Sequence, residues 1–201
     1  GFTILLLGYA SHDEIVGVAG EAPESVVIIE NEEEAAEVEV GDPDKVAIMT
    51  QTTLSVEETK KTILTLTARF PGLEMAVGSY ICYATTNRQR AVIEMAGLCD
   101  LILVLGSDTS SNSKRLVEVA KAKGCFAELI DTEHSLRGAD FERIDRIGVT
   151  AGASTPEHFV DFTLKFLESE GFDGVETVRV ADERIDLSLP ETLLRHLPVE
   201  E

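Results

Sequence analysis

The sequence has no apolar run of the roughly 20 residues that a membrane-spanning helix needs. Its longest such run, residues 101–105, has the length of a buried strand. Cysteine is also scarce, because Cys82, Cys99 and Cys125 form no CxxC pair and their odd number does not indicate a disulfide scaffold. We therefore expect no membrane span and a reducing compartment, which is the cytoplasm, or a plastid if the source is eukaryotic.

Basic residues are few relative to acidic ones. Against 37 Asp and Glu there are 17 Lys and Arg, which gives a formal net charge of -20. This charge repels phosphate backbones and anionic lipid surfaces, so neither nucleic acid nor a membrane is expected as a partner. The acidic excess is spread over the chain with a local run at residues 32–34, a pattern typical of solvated helix faces.

Short apolar stretches alternate with helical patterns along the chain. Near-continuous apolar runs, typical of buried parallel strands, occupy residues 3–7, 26–29, 46–49, 101–105, 126–130 and 147–149. Apolar residues recur at helical spacing over residues 56–70, 87–98, 113–122 and 156–169. Because alternating strands and helices build βαβ units, the sequence predicts an α/β fold with two similar lobes of small, mainly parallel sheets flanked by helices.

A lobe boundary is expected near residue 78. Phe70, Pro71 and Gly72 end the predicted helix 56–70, and a Gly78-Ser79 turn follows. We therefore predict one α/β lobe over residues 1–78, a second over residues 79–172, and a strand-bearing C-terminal tail over residues 173–201.

Hydroxyl side chains crowd the turns after three of the predicted strands, at residues 50–55, 106–113 and 150–156. Ligands of open α/β sheets bind at the carboxyl ends of the strands, where the next helix offers unpaired N–H groups to an anion. Ordinary helix capping is the alternative for any single turn, because Ser, Thr and Asn lead at the N-cap and Pro156 fits the first helical position. Three turns with more hydroxyls than one cap uses favour a phosphate or diphosphate site, and none matches a nucleotide-binding loop.

Two titratable residues follow the first predicted strand, in the string Ser11-His12-Asp13-Glu14. A histidine can hold an anion, and a carboxylate two positions further on can move protons. A structural hydrogen bond for His12 and a solvated turn position for Glu14 are the alternatives.

The three thiols differ in their predicted surroundings. Cys82 stands just before a predicted helix, where the helix dipole favours a thiolate and hence a metal ligand, although a buried thiol is equally compatible with this position. Cys99 and Cys125 adjoin predicted strands and are interpreted as core thiols.

Four strings resemble the 4-hydroxy-3-methylbut-2-enyl diphosphate reductase family. They are MTQTTLSV at residues 49–56, ICYATTNRQ at residues 81–89, SSNS at residues 110–113 and VTAGAS at residues 149–154. The resemblance implies three α/β lobes around a 4Fe-4S iron–sulfur cluster held by three cysteines, with Cys82 as the third ligand. It also implies that the iron without a cysteine binds the substrate hydroxyl, which two electrons and two protons remove as water.

The products implied by the resemblance are isopentenyl and dimethylallyl diphosphate, and the implied electron donor is ferredoxin or flavodoxin. Glu14 matches the carboxylate that relays protons, and Thr52 matches the threonine at the substrate end of that relay. The residues that match diphosphate contacts of the family are His12, Thr53, Ser110, Ser111, Asn112 and Ser154.

The sequence departs from the family pattern in two respects. The family's Gly-His-Pro-Glu is Ser11-His12-Asp13-Glu14 here, which keeps the functional pair. The first lobe, with two further cluster cysteines and two pocket histidines, has no counterpart in the 201 residues, so this chain alone is expected to be inactive. The alternative from another class is a non-catalytic α/β module that binds a phosphorylated small molecule without metal.

Overall fold

The computed structural model describes residues 1–75 and 81–182, which form two parallel sheets with helices packed on them. The first sheet has the strand order β2-β1-β3-β4 and the second has the order β6-β5-β7. The strands are β1 (Thr3–Leu7), β2 (Val26–Ile29), β3 (Val46–Thr50), β4 (Glu74–Met75), β5 (Leu101–Leu105), β6 (Phe126–Ile130) and β7 (Ile147–Ala151). All the strand pairs are parallel, so the predicted α/β class with two small parallel sheets is confirmed.

Helices connect the strands in both sheets. They are α1 (Asp13–Glu21), α2 (Glu32–Glu37), α3 (Val56–Arg69), α4 (Tyr83–Ala96), α5 (Ser111–Ala122), α6 (Glu133–Arg137) and α7 (Glu157–Ser169). Within the described ranges, none of them combines the length and hydropathy of a membrane-spanning segment.

Each sheet carries its own apolar core. In the first lobe, Leu5, Ile48 and Leu66 are fully buried between β1, β3 and α3. In the second lobe, all five residues of β5 are buried because helices cover both faces of this central strand. The central strand of the second sheet is buried on both faces, so its sequence is continuously apolar.

Several predicted boundaries are wrong by a few residues. Helix α4 begins at Tyr83 rather than at residue 87, α5 begins at Ser111 rather than at residue 113, and β7 extends to Ala151. Residues 173–182 of the predicted strand-bearing tail contain no strand. The rest of that tail and the predicted lobe boundary near residue 78 lie outside the described residues, so the division at residues 78 and 172 stays a prediction.

Side chains of α4 and of the C-cap of α5 join the two lobes. Gln89, which is 2% exposed, donates its amide to the Leu54 carbonyl oxygen at 2.8 Å and accepts the Val56 N–H at 3.0 Å. Lys123 contacts the carboxylate of Glu57 at 2.8 Å, and this hydrogen bond lowers the Glu57 pKa. The buried amide of Gln89 holds the first turn of α3 against the second lobe. This turn of helix directly follows one of the hydroxyl-rich turns.

Candidate active site

The carboxyl ends of both sheets face a common region. The turn after β1 carries His12, and the turn after β5 leads into Ser111 at the start of α5. His12 Nε2 lies 2.7 Å from Ser111 Oγ, although 99 positions separate the two residues in the chain. The turn that carries His12 and one of the three hydroxyl-rich turns therefore meet in space.

Thr52 is the centre of a second contact at this edge. Its backbone N–H and its hydroxyl both donate to the Glu14 carboxylate, each at 2.9 Å. Its carbonyl oxygen accepts the N–H of Cys82 at 3.2 Å. The predicted proton carrier, its threonine partner and the predicted metal ligand are thus linked by consecutive hydrogen bonds.

The His12 ring is fixed in one tautomer by its position as the N-cap of α1. Its Nδ1 accepts the backbone N–H of Glu14 at 3.2 Å, so a neutral ring carries its proton on Nε2. Nε2 then donates to Ser111 Oγ, which leaves the Ser111 proton available for another acceptor. Capping therefore uses one ring nitrogen of His12, and the other contacts Ser111 of the second lobe.

Neither Ser111 nor Ser154 caps the helix that follows its turn. Ser110 caps α5 by accepting the Ser113 N–H, so Ser111 is not the cap. Helix α7 begins at Glu157 and has Pro156 at its N-cap without a side-chain cap, which corrects the placement of Pro156 inside the helix. Thr155 donates to the Leu105 carbonyl oxygen instead of capping.

The remaining predicted contacts differ in whether their polar atoms already form hydrogen bonds within the protein. Thr53 Oγ1 accepts from Gln51 Nε2 at 3.0 Å. Ser154 is exposed, and its hydroxyl has no protein partner within the described residues. Asn112 is 8% exposed, and both polar atoms of its amide lack a partner in the same part of the chain. Since buried amides are almost always hydrogen-bonded in proteins, an unpaired one beside Ser111 is suited to a ligand.

Two glycines allow the second and third turns to pack on Ser113. An added Cβ at Gly106 or at Gly152 would lie 2.3 Å from Ser113 Oγ, which no real Cβ contact allows. Ser113 is 1% exposed beneath them. The ends of β5 and β7 and the first turn of α5 are therefore held together at one point.

Replacing Gly152 with alanine is expected to lower the free energy of unfolding by roughly 1–3 kcal/mol, the range for overpacked sites. The double variant Gly152→Ala/Ser113→Ala should recover most of this loss, because Ser113 Cβ lies 3.6 Å from the added carbon. Gly97→Ala is the matched control, since its added Cβ meets only the Glu94 carbonyl oxygen at 3.6 Å. Urea unfolding measures the free energy of unfolding of all three variants. If Gly152→Ala lost no more of this free energy than Gly97→Ala, the close packing would be contradicted.

The three thiols differ in their surroundings. Cys82 is half-buried at the N-cap of α4 and makes no side-chain cap, so its sulfur is not engaged in helix capping. Burial raises the pKa of the Cys99 and Cys125 thiols, and both pack against the core of the second lobe. Such protonated core thiols are poor metal ligands. Within the described ranges no group of three or more His, Cys, Asp or Glu side chains is arranged to hold a metal ion.

Two buried polar residues support the site and were not singled out from the sequence. Gln51, which is 1% exposed, accepts the N–H of Tyr9 and donates to Thr53. Arg115 of α5 donates to the Tyr9 hydroxyl at 2.5 Å and contacts Glu58 and Glu118 at 3.3 and 2.7 Å. No sequence signal distinguishes these residues from surface polar ones, because their burial depends on how the lobes pack.

Known proteins similar to this chain are reductases. A protein named 4-hydroxy-3-methylbut-2-enyl diphosphate reductase from Streptomyces avermitilis is 46% identical over 200 residues, covering 99% of this chain and 59% of its own length. A protein of the same name from Neisseria meningitidis is 44% identical over 193 residues, which are 96% of this chain and 60% of that protein. This chain thus spans about three fifths of the length of these relatives.

A solved structure and a family model agree with these similarities. The structure of the E-1-hydroxy-2-methyl-but-2-enyl-4-diphosphate reductase from Plasmodium falciparum superposes with a TM-score of 0.83 at 32% identity, covering 97% of this chain and 62% of that one. The family model described as LytB protein matches residues 1–168. The chain therefore belongs to the LytB protein family.

Proposed function

We propose that this chain supplies two of the three lobes of an iron–sulfur reductase. The substrate is 4-hydroxy-3-methylbut-2-enyl diphosphate, and loss of its allylic hydroxyl gives isopentenyl and dimethylallyl diphosphate. The observation that carries the proposal is the hydrogen-bonded series Glu14, Thr52 and Cys82, which joins an acid–base group and a candidate metal ligand at one sheet edge. The names of the similar proteins support the same chemistry.

Cys82 is proposed as one thiolate ligand of a 4Fe-4S cluster. Its half-buried position before α4 fits this role, because the positive end of the helix dipole stabilises a thiolate. A cluster held there would pass on, one at a time, the two electrons that cleavage of the carbon–oxygen bond needs. The other ligands come from the part of the reductase that this chain does not span, and ferredoxin or flavodoxin is the proposed source of the electrons.

Glu14 and Thr52 are proposed to move a proton to the departing hydroxyl. The reaction consumes two electrons and two protons, of which one proton leaves with the hydroxyl as water and the other is added to carbon. Thr52 Oγ1 donates to the Glu14 carboxylate in the structure. Protonation of Glu14 would reverse this bond, so that Glu14 gives its proton to Thr52 Oγ1 and Thr52 passes its own proton to the substrate oxygen. The second bond, from the Thr52 N–H, holds the carboxylate in place during this transfer.

The diphosphate is proposed to lie among the hydroxyl-rich turns. Phosphate oxygens accept hydrogen bonds only, so a site for them needs donors. Ser111 is placed to donate because its oxygen already accepts from His12, and the unpaired Asn112 amide offers two further N–H groups. The proposed contacts are His12, Thr53, Ser110, Ser111, Asn112 and Ser154. The helix N-termini at the same edge add positive potential without a basic residue.

Alanine at Ser111 or Ser154 tests the diphosphate site. Neither residue caps a helix, and Ser111 loses only its part-buried hydrogen bond with His12, so each substitution should change the melting temperature little. The affinity for diphosphate should fall, because a hydrogen bond to a charged group typically contributes about 1.5–3 kcal/mol. Calorimetric titration with diphosphate and thermal unfolding of the complete, cluster-loaded reductase measure both quantities.

Thr132→Ala is the matched control for this experiment. Thr132 caps α6, which carries no proposed site residue, so its loss should cost about 1 kcal/mol of stability and leave the affinity unchanged. If both serine variants instead melted early and bound diphosphate normally, these turns would be structural caps or supports and not a diphosphate site.

A further inference from the structure

We propose that Ser113 is a positioning residue that directs the hydroxyl proton of Ser110 toward the diphosphate. The inference rests on the proposed function, because Ser110 is one of the proposed diphosphate contacts. Ser113 itself is 1% exposed, so it acts through Ser110 rather than by touching the ligand.

The hydrogen bonds of Ser110 determine where its proton points. Ser110 Oγ accepts the backbone N–H of Ser113 at 3.2 Å and the Ser113 hydroxyl at 3.1 Å. A serine hydroxyl has two acceptor lone pairs and one proton. Since two donors of α5 occupy both lone pairs, the Ser110 proton is left for an acceptor outside the helix.

The surroundings of Ser113 keep this arrangement in place. Ser113 Oγ lies against Gly106 and Gly152, and a Cβ at either glycine would be only 2.3 Å from it. Thr155 Oγ1 closes the same space, 3.4 and 3.3 Å from those two Cβ positions, and is itself engaged with the Leu105 carbonyl oxygen. Ser113 is therefore confined between the ends of two strands, and Ser110 is the neighbour to which its hydroxyl donates.

A purely structural role makes a different prediction from a positioning role. Ser113→Ala keeps the backbone N–H that Ser110 caps, and alanine is the best helix former, so α5 should stay intact. What is lost is the second donor, which leaves one lone pair of Ser110 free and its proton unfixed. The loss should therefore appear in ligand binding and not in stability.

The test is a double-mutant cycle on the complete, cluster-loaded reductase with inorganic diphosphate as the probe. Calorimetric titration and thermal unfolding are measured for Ser113→Ala, Ser110→Ala and the double variant. Ser107→Ala is the control, because Ser107 lies in the same turn and its hydroxyl bonds, among the residues that the structure describes, to Thr109 alone. Ser113→Ala should bind diphosphate roughly three- to tenfold more weakly at an unchanged or higher melting temperature. In the Ser110→Ala background it should have no further effect, because the proton that it directs is gone.

The outcomes separate this inference from the proposed function. Weak binding by Ser110→Ala together with wild-type affinity of Ser113→Ala would overturn the positioning role and leave the diphosphate site standing. Losses that add in the double variant would also overturn it, since Ser113 would then act independently of Ser110. If Ser110→Ala bound diphosphate with wild-type affinity, Ser110 would not be a diphosphate contact. The positioning role of Ser113 would then be overturned as well.

Discussion

Replacing Cys82 with serine is expected to remove the iron–sulfur cluster and the reductase activity together. Iron in such clusters is held by thiolates, and a serine hydroxyl at the N-cap of α4 is not an equivalent ligand. The complete reductase, purified without oxygen, should be brown and active, whereas Cys82→Ser should be nearly colourless and inactive. Iron and sulfide content, visible absorbance and turnover are the measurements.

Cys99→Ser is the matched control for the ligand assignment. Burial raises the pKa of the Cys99 thiol, which lies on the core side of the second lobe, so this variant should keep its cluster. Full iron content and normal turnover in Cys82→Ser would falsify the assignment of Cys82. Equal loss of iron in both variants would show that the second lobe, rather than one ligand, had been damaged.

Glu14→Gln is expected to bind substrate normally and to lose most of its turnover. Glutamine has nearly the same shape as glutamate and its oxygen can still accept the Thr52 N–H, but an amide cannot carry the proton. General acid–base groups contribute about 10² to 10⁴ in rate, so kcat should fall within that range while KM changes little. Steady-state kinetics of the complete reductase under anaerobic conditions provide both constants.

Asp13→Asn controls for the loss of a negative charge beside His12. Asp13 lies next to Glu14 in the first turn of α1, is exposed and has no proposed role. Its variant should therefore retain turnover. Unchanged kcat with raised KM in Glu14→Gln would mean that Glu14 holds the substrate and does not move protons.

The strands were predictable because each lies in a short apolar run that a parallel sheet buries. Helix α1 gives little sequence signal, since Gly17 and Gly20 weaken its helical pattern and histidine is an unusual N-cap. The sequence pattern predicts the start of α4 four residues late, because the N-cap Cys82 gives no capping signal and two threonines follow it. The acidic run at residues 32–34 forms the first turn of α2, which Asn31 caps.

The site was predictable in its composition but not in its pairings. Hydroxyl-rich turns at strand ends indicate a ligand edge, and this property of the fold brings His12 and Ser111 to the same region. The hydrogen bond between them depends on how two separate sheets are oriented, which no local pattern specifies. The confinement of Ser113 by two glycines is likewise a property of packed strand ends, so it becomes visible only in three dimensions.

The central claim is that Glu14, Thr52 and Cys82 belong to one site that reduces a diphosphate substrate. Its most direct test is an anaerobic experiment in which the cluster-loaded complete reductase is mixed with 4-hydroxy-3-methylbut-2-enyl diphosphate and an excess of a chemical reductant, which supplies both electrons, and the products are identified by mass spectrometry. The proposed function predicts isopentenyl and dimethylallyl diphosphate from the wild type and a greatly slowed release of both from Glu14→Gln. Tight binding of the diphosphate without cleavage of the carbon–oxygen bond in the wild type would contradict it and would favour a non-catalytic phosphate-binding module.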